Sequence, residues 1–215
     1  MTIVAPELGL HSWPVTAAHS EIAVLLTALL GDALVEVGEH CGDVAIVVQR
    51  GRLADVVTSL RDAPDLQLNQ LIDICAADYP DRAERFEVVV HLLSMVHNLR
   101  LRIKVSTDGV APVPSLTDVY CNAGWYERET WDCYGVMFSG NPDMRRILTD
   151  YGFEGHPFRK DFPLSGHVEL RWSEEHKRVV YEPVKLAQDF RNFDFLSPWE
   201  GTDYVLPGDE KAGVK

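Results

Sequence analysis

Apolar side chains in residues 22–30 recur at Ile22, Leu25, Leu26 and Leu29, the i, i+3, i+4, i+7 spacing that lines one face of a helix. Gly31 follows where a left-handed C-terminal cap belongs. Two short β-branched runs at 35–37 and 44–48 are separated by Gly38, His40, Gly42 and Asp43, the composition of a hairpin. Helical spacing returns at Leu53, Val56, Val57 and Leu60, with Pro64 soon after it. From residue 72 the period becomes two. Ile72, Ile74 and Ala76 alternate with Asp73 and Cys75, and Phe86, Val88 and Val90 begin a second run that reaches Met95. Leu99, Leu101, Ile103 and Val105 then alternate with Arg100, Arg102 and Lys104, and His97 and Asn98 mark the turn before them. Such alternation describes strands with one buried and one wet face, which favours antiparallel pairing.

A third helix is predicted to open at Ser115, where Asp118 completes a capping box behind Pro112 and Pro114. Leu116, Val119, Tyr120 and Ala123 form its apolar face, Gly124 weakens it, and Gly135 stops it. Beyond that point the periodicity fades, except for a hairpin of Val168, Leu170 and Trp172 against Val179, Tyr181 and Val184. The order helix, two strands, helix, three strands, helix predicts an α+β fold, a compact mixed helix and antiparallel-sheet domain with helices on one side. The expected division is an N-terminal arm over 1–15, the globular domain over 16–135, an extended irregular partner-binding segment over 136–202, and a flexible tail over 203–215.

Composition narrows the function classes. Of 215 residues, 46% are hydrophobic and 25% charged, an ordinary globular balance. The longest apolar stretch, 22–30, contains Thr27 and is far shorter than the roughly 20 residues of a spanning helix. A formal charge of -13 argues against nucleic-acid binding, which draws on basic side chains to displace counterions. No Lys or Arg precedes Arg50, whereas Glu7, Glu21, Asp32, Glu36, Glu39 and Asp43 all do, so no basic leader or Arg-rich transit segment is expected. Cys41, Cys75, Cys121 and Cys133 contain no CxxC pair, and the histidines form no HxxxH or HxH pair. No metal or cluster site is therefore expected.

Residues 127–163, ERETWDCYGVMFSGNPDMRRILTDYGFEGHPFRKDFP, combine charge, Gly, Pro and aromatics without a period. Glu129 and Asp132 share a helix face, and two nearby acids can act as acid and base when their pKa values are pushed apart. Arg128 and Asp132, four apart, can instead form an ordinary surface ion pair. A third reading is partner recognition: Arg145, Arg146, Arg159 and Lys160 lie close to Asp143, Asp150, Glu154 and Asp161, and Arg forks matched to carboxylates give specificity across an interface. Arg159 and Lys160 beside His156 form a weak phosphate signal. Phe190, Phe193, Phe195 and Trp199 crowd the end of the chain and are expected to fold back or to dock on a partner.

The same stretch, continued by VELRW, RVVYEPVKLAQDFRNFDF and SPWEG, resembles the thirty-kilodalton (C-type) subunit family of the proton-pumping NADH:quinone oxidoreductase, respiratory complex I. Glu127, Arg128, Glu129, Asp132, Gly135, Pro142, Asp143, Arg145, Arg146, Gly152, Phe153, Gly155, His156, Pro157, Arg159, Lys160, Asp161 and Pro163 match its pattern, while Asn141 stands where the family usually has His. The resemblance implies a peripheral-arm subunit with no redox centre or active site of its own. FMN, iron–sulfur clusters, NADH and quinone would then lie in other subunits. It also implies a hetero-oligomer in which this chain packs on the larger quinone-site subunit, the forty-nine-kilodalton (D-type) one, and on neighbouring iron–sulfur subunits. The assembly would be peripheral to the cytoplasmic side of a bacterial inner membrane. Some relatives are fused to that quinone-site subunit, and this chain resembles the separate form. A related membrane-bound hydrogenase or other quinone reductase sharing the subunit is the alternative within that resemblance.

Overall fold

The computed structural model describes residues 19–40 and 43–188. Helix α1, His19–Leu30, ends on Gly31 in the left-handed region, φ 49°, where a glycine carries no Cβ penalty. Strands β1, Leu34–His40, and β2, Asp43–Val48, form an antiparallel hairpin. Helix α2, Leu53–Asp62, buries Leu53, Val56, Val57 and Leu60, the four positions that its spacing marks. Strands β3, Gln70–Asp78, β4, Phe86–Ser94, and β5, Leu99–Thr107, follow as an antiparallel meander.

The five strands make one sheet in the order β1-β2-β5-β4-β3. Alternate residues of β4 and β5, Phe86 to Leu92 and Leu99 to Val105, are buried on one face together with Val44, Ile46, Val48 and Ile74. Ile22 and Leu26 of α1 and the apolar face of α2 complete that core. Burying a side chain of this size is worth about 1.5–3 kcal/mol, so the shared layer is what holds helices to sheet. The sheet is mixed: β2 runs parallel to β5, joined through α2 and the meander, where the sequence predicts antiparallel pairing. Side-chain alternation reports which face is buried and not the direction of a distant neighbour.

Two helix expectations differ from the structure. In α1 the buried positions are Ile22, Leu26 and Leu30, while Leu25 and Leu29 are exposed. The helix is apolar around most of its circumference, so period alone does not select a face. Helix α3 runs Ala123–Tyr134 and does not begin at Ser115. Residues 115–122 form turns, and the Ser115 hydroxyl serves a carboxylate within α3 instead of capping a start at its own position.

Helix α3 lies along β3, the sheet's second edge strand. Thr130 Oγ1 donates to the Ile74 carbonyl at 3.0 Å, Asn122 Nδ2 to Leu71 at 3.0 Å, and the Tyr120 hydroxyl to Leu68. The Leu71 and Ile74 carbonyls belong to that edge strand, and Leu68 lies just before it. Two-residue strands β6, Val113–Pro114, and β7, Phe138–Ser139, pair in parallel on either side of α3 in sequence and bury Val113, Val136 and Phe138. The chain divides into two compact units, residues 1–166 and 167–215. Within the second, β8, Val168–Ser173, and β9, Arg178–Pro183, form the expected antiparallel hairpin, with Val184 N–H donating to the His167 carbonyl just beyond the strands.

Candidate functional site

The charged stretch is organised around α3. Glu127, on the helix face turned inward, is fully buried. Its Oε1 accepts the Leu116 N–H at 2.6 Å, and its Oε2 accepts the Ser115 hydroxyl at 2.8 Å and the Asn141 amide at 2.7 Å. Burial pushes its pKa above the ordinary carboxylate range, and the three donors only partly counter this. Asn141 is thus the residue that joins the loop after α3 to the turn before it. Its Oδ1 also accepts the Asp143 N–H at 2.8 Å, which sets the next turn.

Asp132, five residues on, is also fully buried. One oxygen accepts three successive backbone N–H groups, those of Ile147, Leu148 and Thr149, at 3.0, 2.7 and 2.9 Å. The other accepts Arg146 Nη1 at 2.7 Å and the Thr149 hydroxyl at 2.6 Å. Successive amides curled around an anion form a nest, here filled by the chain's own carboxylate. Burial alone would raise the Asp132 pKa, but the donors from Thr149, Ile147 and Arg146 outweigh it and hold the group well below the usual range. With both oxygens committed, Asp132 has no lone pair aimed at a substrate. Glu129, its expected acid/base companion, is exposed.

Nor do Arg128 and Asp132 pair along the helix. Arg128 reaches out to the carbonyls of Arg145 and Arg146 at 3.1 and 3.0 Å and stacks over Trp125. Arg146, expected at a partner's carboxylate, is turned inward: beyond Asp132 it donates to the Gly155 carbonyl at 3.0 Å and lies over the Trp131 and Phe153 rings. Phe153 in turn packs on Phe162, 5.9 Å between ring centres.

The end of α3 explains the HPFRK run. An α-helix leaves its last four carbonyls without intrahelical partners. Here Gly135 N–H serves Trp131 at 2.8 Å, His156 Nδ1 serves Asp132 at 2.9 Å, Phe158 N–H serves Cys133 at 3.0 Å, and Arg159 Nε serves Tyr134 at 2.6 Å. The first comes from the left-handed glycine, φ 78°, and the rest from a segment more than twenty residues downstream. A carbonyl only accepts, so the His156 proton sits on Nδ1, and burial lowers the ring's pKa. Pro157, half-buried between these two caps, presets the backbone there. Next, the Lys160 N–H donates to Asp78 Oδ2 at 2.7 Å. Asp78 holds Arg85 through two bonds of 2.6 and 2.7 Å, and Arg85 forks on to Asp161 at 3.1 and 3.0 Å. Arg85, ahead of the direct bond from Lys160, keeps the Asp78 carboxyl below its ordinary range.

Thus Glu127, Arg128, Asp132, Arg146, Gly155, His156, Arg159, Lys160 and Asp161 are brought into one network, while Gly152 and Pro163 lie exposed beside it. Asp78, Arg85 and Thr149 belong to it as well, and no motif marks them. A seven-residue separation across the β3–β4 turn is the only sequence trace of the Asp78–Arg85 pair. Left outward are Arg145, held at 2.8 Å by Asp143, with Trp125 and Tyr151. They line a groove of about 660 Å³. Phe193 and Trp199 lie outside the described residues. No helix among the described residues is long and apolar enough to cross a membrane, and no His, Cys, Asp and Glu cluster there could hold a metal ion.

Residues 46–168 match the family model described as the respiratory-chain NADH dehydrogenase, 30 kDa subunit. A protein of Methylobacterium radiotolerans, named as the C subunit of NADH-quinone oxidoreductase, is 58% identical over 206 residues, 95% of this chain and 96% of the relative. One of the same name from Maricaulis maris is 61% identical over 171 residues, 80% of this chain and 86% of the relative. Among solved structures, a chain of the membrane-bound sulfane sulfur reductase, an archaeal respiratory membrane complex, shares 25% identity. It covers 67% of this chain and 85% of its own length, with a TM-score of 0.57.

Proposed function

Since the chain belongs to the 30 kDa subunit family of the respiratory-chain NADH dehydrogenases, we propose that it is a structural and assembly subunit of an NADH-quinone oxidoreductase. Its near full-length likeness to proteins named as the C subunit of that enzyme carries this reading. Electron transfer from NADH to ubiquinone, coupled to proton translocation, is then the work of the whole complex, with FMN, clusters and quinone held by other subunits. This chain's part is shape. Its two buried acids and the HPFRK run fix the loop at 141–161, which presents Arg145 and Tyr151 to the outside beside Trp125 of α3. The expected neighbours are the larger quinone-site subunit and iron–sulfur subunits of the peripheral arm, on the cytoplasmic side of a bacterial inner membrane.

Charge reversal at Arg145, an exposed residue outside the buried network, tests the reading. Arg145→Glu lowers the amount of assembled complex about fivefold, as expected for an interface charge worth about 1 kcal/mol, while turnover per assembled complex holds. Native gels with in-gel activity measure both, and full assembly with lost turnover would contradict the proposal. The likeness to the sulfane sulfur reductase chain supports a second reading, the equivalent subunit of a related respiratory complex or membrane-bound hydrogenase. The electron-input subunits that co-purify separate the two.

A further inference from the structure

Helix α1 is apolar well beyond the face it buries. Ile22, Leu26 and Leu30 face the core, and Leu29, Leu25, Ala28 and Val24 carry the apolar surface on around the helix into the open. Val24 is 68% exposed, Leu29 43% and Leu25 38%. A helix on a protein surface normally turns polar side chains to water, and one that is apolar all round is normally covered. The rim of this stripe is acidic. Glu21 lies one turn before Leu25 and Asp32 just past the end of the helix, both exposed. Residues 1–49 contain no Lys or Arg, and Arg52, just before α2, and Arg61, within it, are held by Asp55 and Asp62.

We infer that the outer face of α1 is a docking surface for an amphipathic segment of another subunit, one whose apolar residues are flanked by Lys or Arg. The inference rests on the assembly reading above and adds a surface remote in sequence from the 127–163 stretch. Charge complementarity selects the occupant. A second copy would set like charges against each other, and an anionic bilayer surface would be repelled by the same rim. The apolar stripe supplies affinity and the rim supplies orientation, so the contact weakens as salt rises.

A photo-crosslinking residue placed at Leu25 or Leu29 of the full chain, with Ser59 on α2 as the control position, tests this in cells. The complex is then purified, its companions identified and the cross-linked peptide sequenced. The expected result is a cross-link from 25 and 29, absent from 59, to one helical segment bearing apolar residues flanked by Lys or Arg. Leu25→Glu combined with Leu29→Glu then lowers co-purification of that subunit at least about tenfold, and Leu29→Ile does not. Companions present without such a cross-link overturn the inference and leave the assembly reading intact. So do cross-links to a second copy, to residues 1–18, to lipid or to an acidic segment. A chain that purifies without companions overturns the assembly reading and this inference together.

Discussion

Asp132 accepts five hydrogen bonds with none of its surface in water, so removing its charge leaves three amides, a hydroxyl and a guanidinium without an anion. Asp132→Asn is expected to destabilise the chain by about 3–5 kcal/mol, read from the midpoint of chemical denaturation. The pH dependence has a definite sign. A carboxyl held below its unfolded value stabilises the fold above the ordinary carboxylate range, and that contribution fades as pH falls through the lowered value. Wild-type stability should therefore drop more steeply than that of the variant on acidification below about pH 5. Parallel curves would remove Asp132 from the account. Glu127 works the other way, since its raised pKa contributes stability that is lost as pH rises. In the sequence Arg128 and Asp132 could be read as an ordinary i, i+4 ion pair, or Glu129 and Asp132 as an acid and base, and nothing there marks the partners of Glu127. Partners eleven or more residues away won instead, because a buried carboxylate has more to gain from several donors than an exposed one has from a single Lys or Arg.

At the scale of elements, the cap of α3 is the most exacting feature. A Cβ on Gly135 would run into Arg159 Nη2 and lie 2.7 Å from the His156 ring, at a φ that L-residues adopt at a cost of about 1–2 kcal/mol. Gly135→Ala is thus expected to cost at least about 2 kcal/mol and to quicken amide exchange at 156–159, because the two capping side chains must move. A change below about 0.5 kcal/mol would show that those caps are not needed. Gly135 as a stop was legible from sequence; its downstream partners were not, because capping by a remote segment has no periodicity. Helix α2 was legible to the residue, since polar and apolar positions separate cleanly around it. In α1 they do not, and the template selected Leu25 and Leu29, which the structure leaves exposed. Ser115 and Asp118 gave a capping signature eight residues ahead of the helix that forms, since the hydroxyl had a better acceptor in Glu127.

For the whole molecule, the α+β class and the β3–β4–β5 meander followed from period-two patterning, while the parallel β2–β5 pairing depended on contacts that no local pattern encodes. The hairpin of β8 and β9 stands in a separate unit, with Val168, Leu170, Trp172, Val179 and Tyr181 each more than half exposed. A two-stranded ribbon is marginal in water, so in the isolated chain its amides should exchange far faster than those of the five-stranded sheet. Hydrogen exchange measured by mass spectrometry reads this directly, and equal protection in the two sheets would contradict it. The remote capping of α3 has one further consequence, for synthesis. A nascent chain that has emerged only as far as residue 140 holds Asp132 and the last carbonyls of α3 without their donors, Arg146 to Arg159, and Glu127 without Asn141. Domains generally fold as units in the order they are made, but here the central sheet can form early while α3 must wait. A stop codon anywhere before residue 146 would therefore remove more than a tail: it would leave the Asp132 carboxylate in the interior without any of its side-chain and backbone donors, a product for proteolysis.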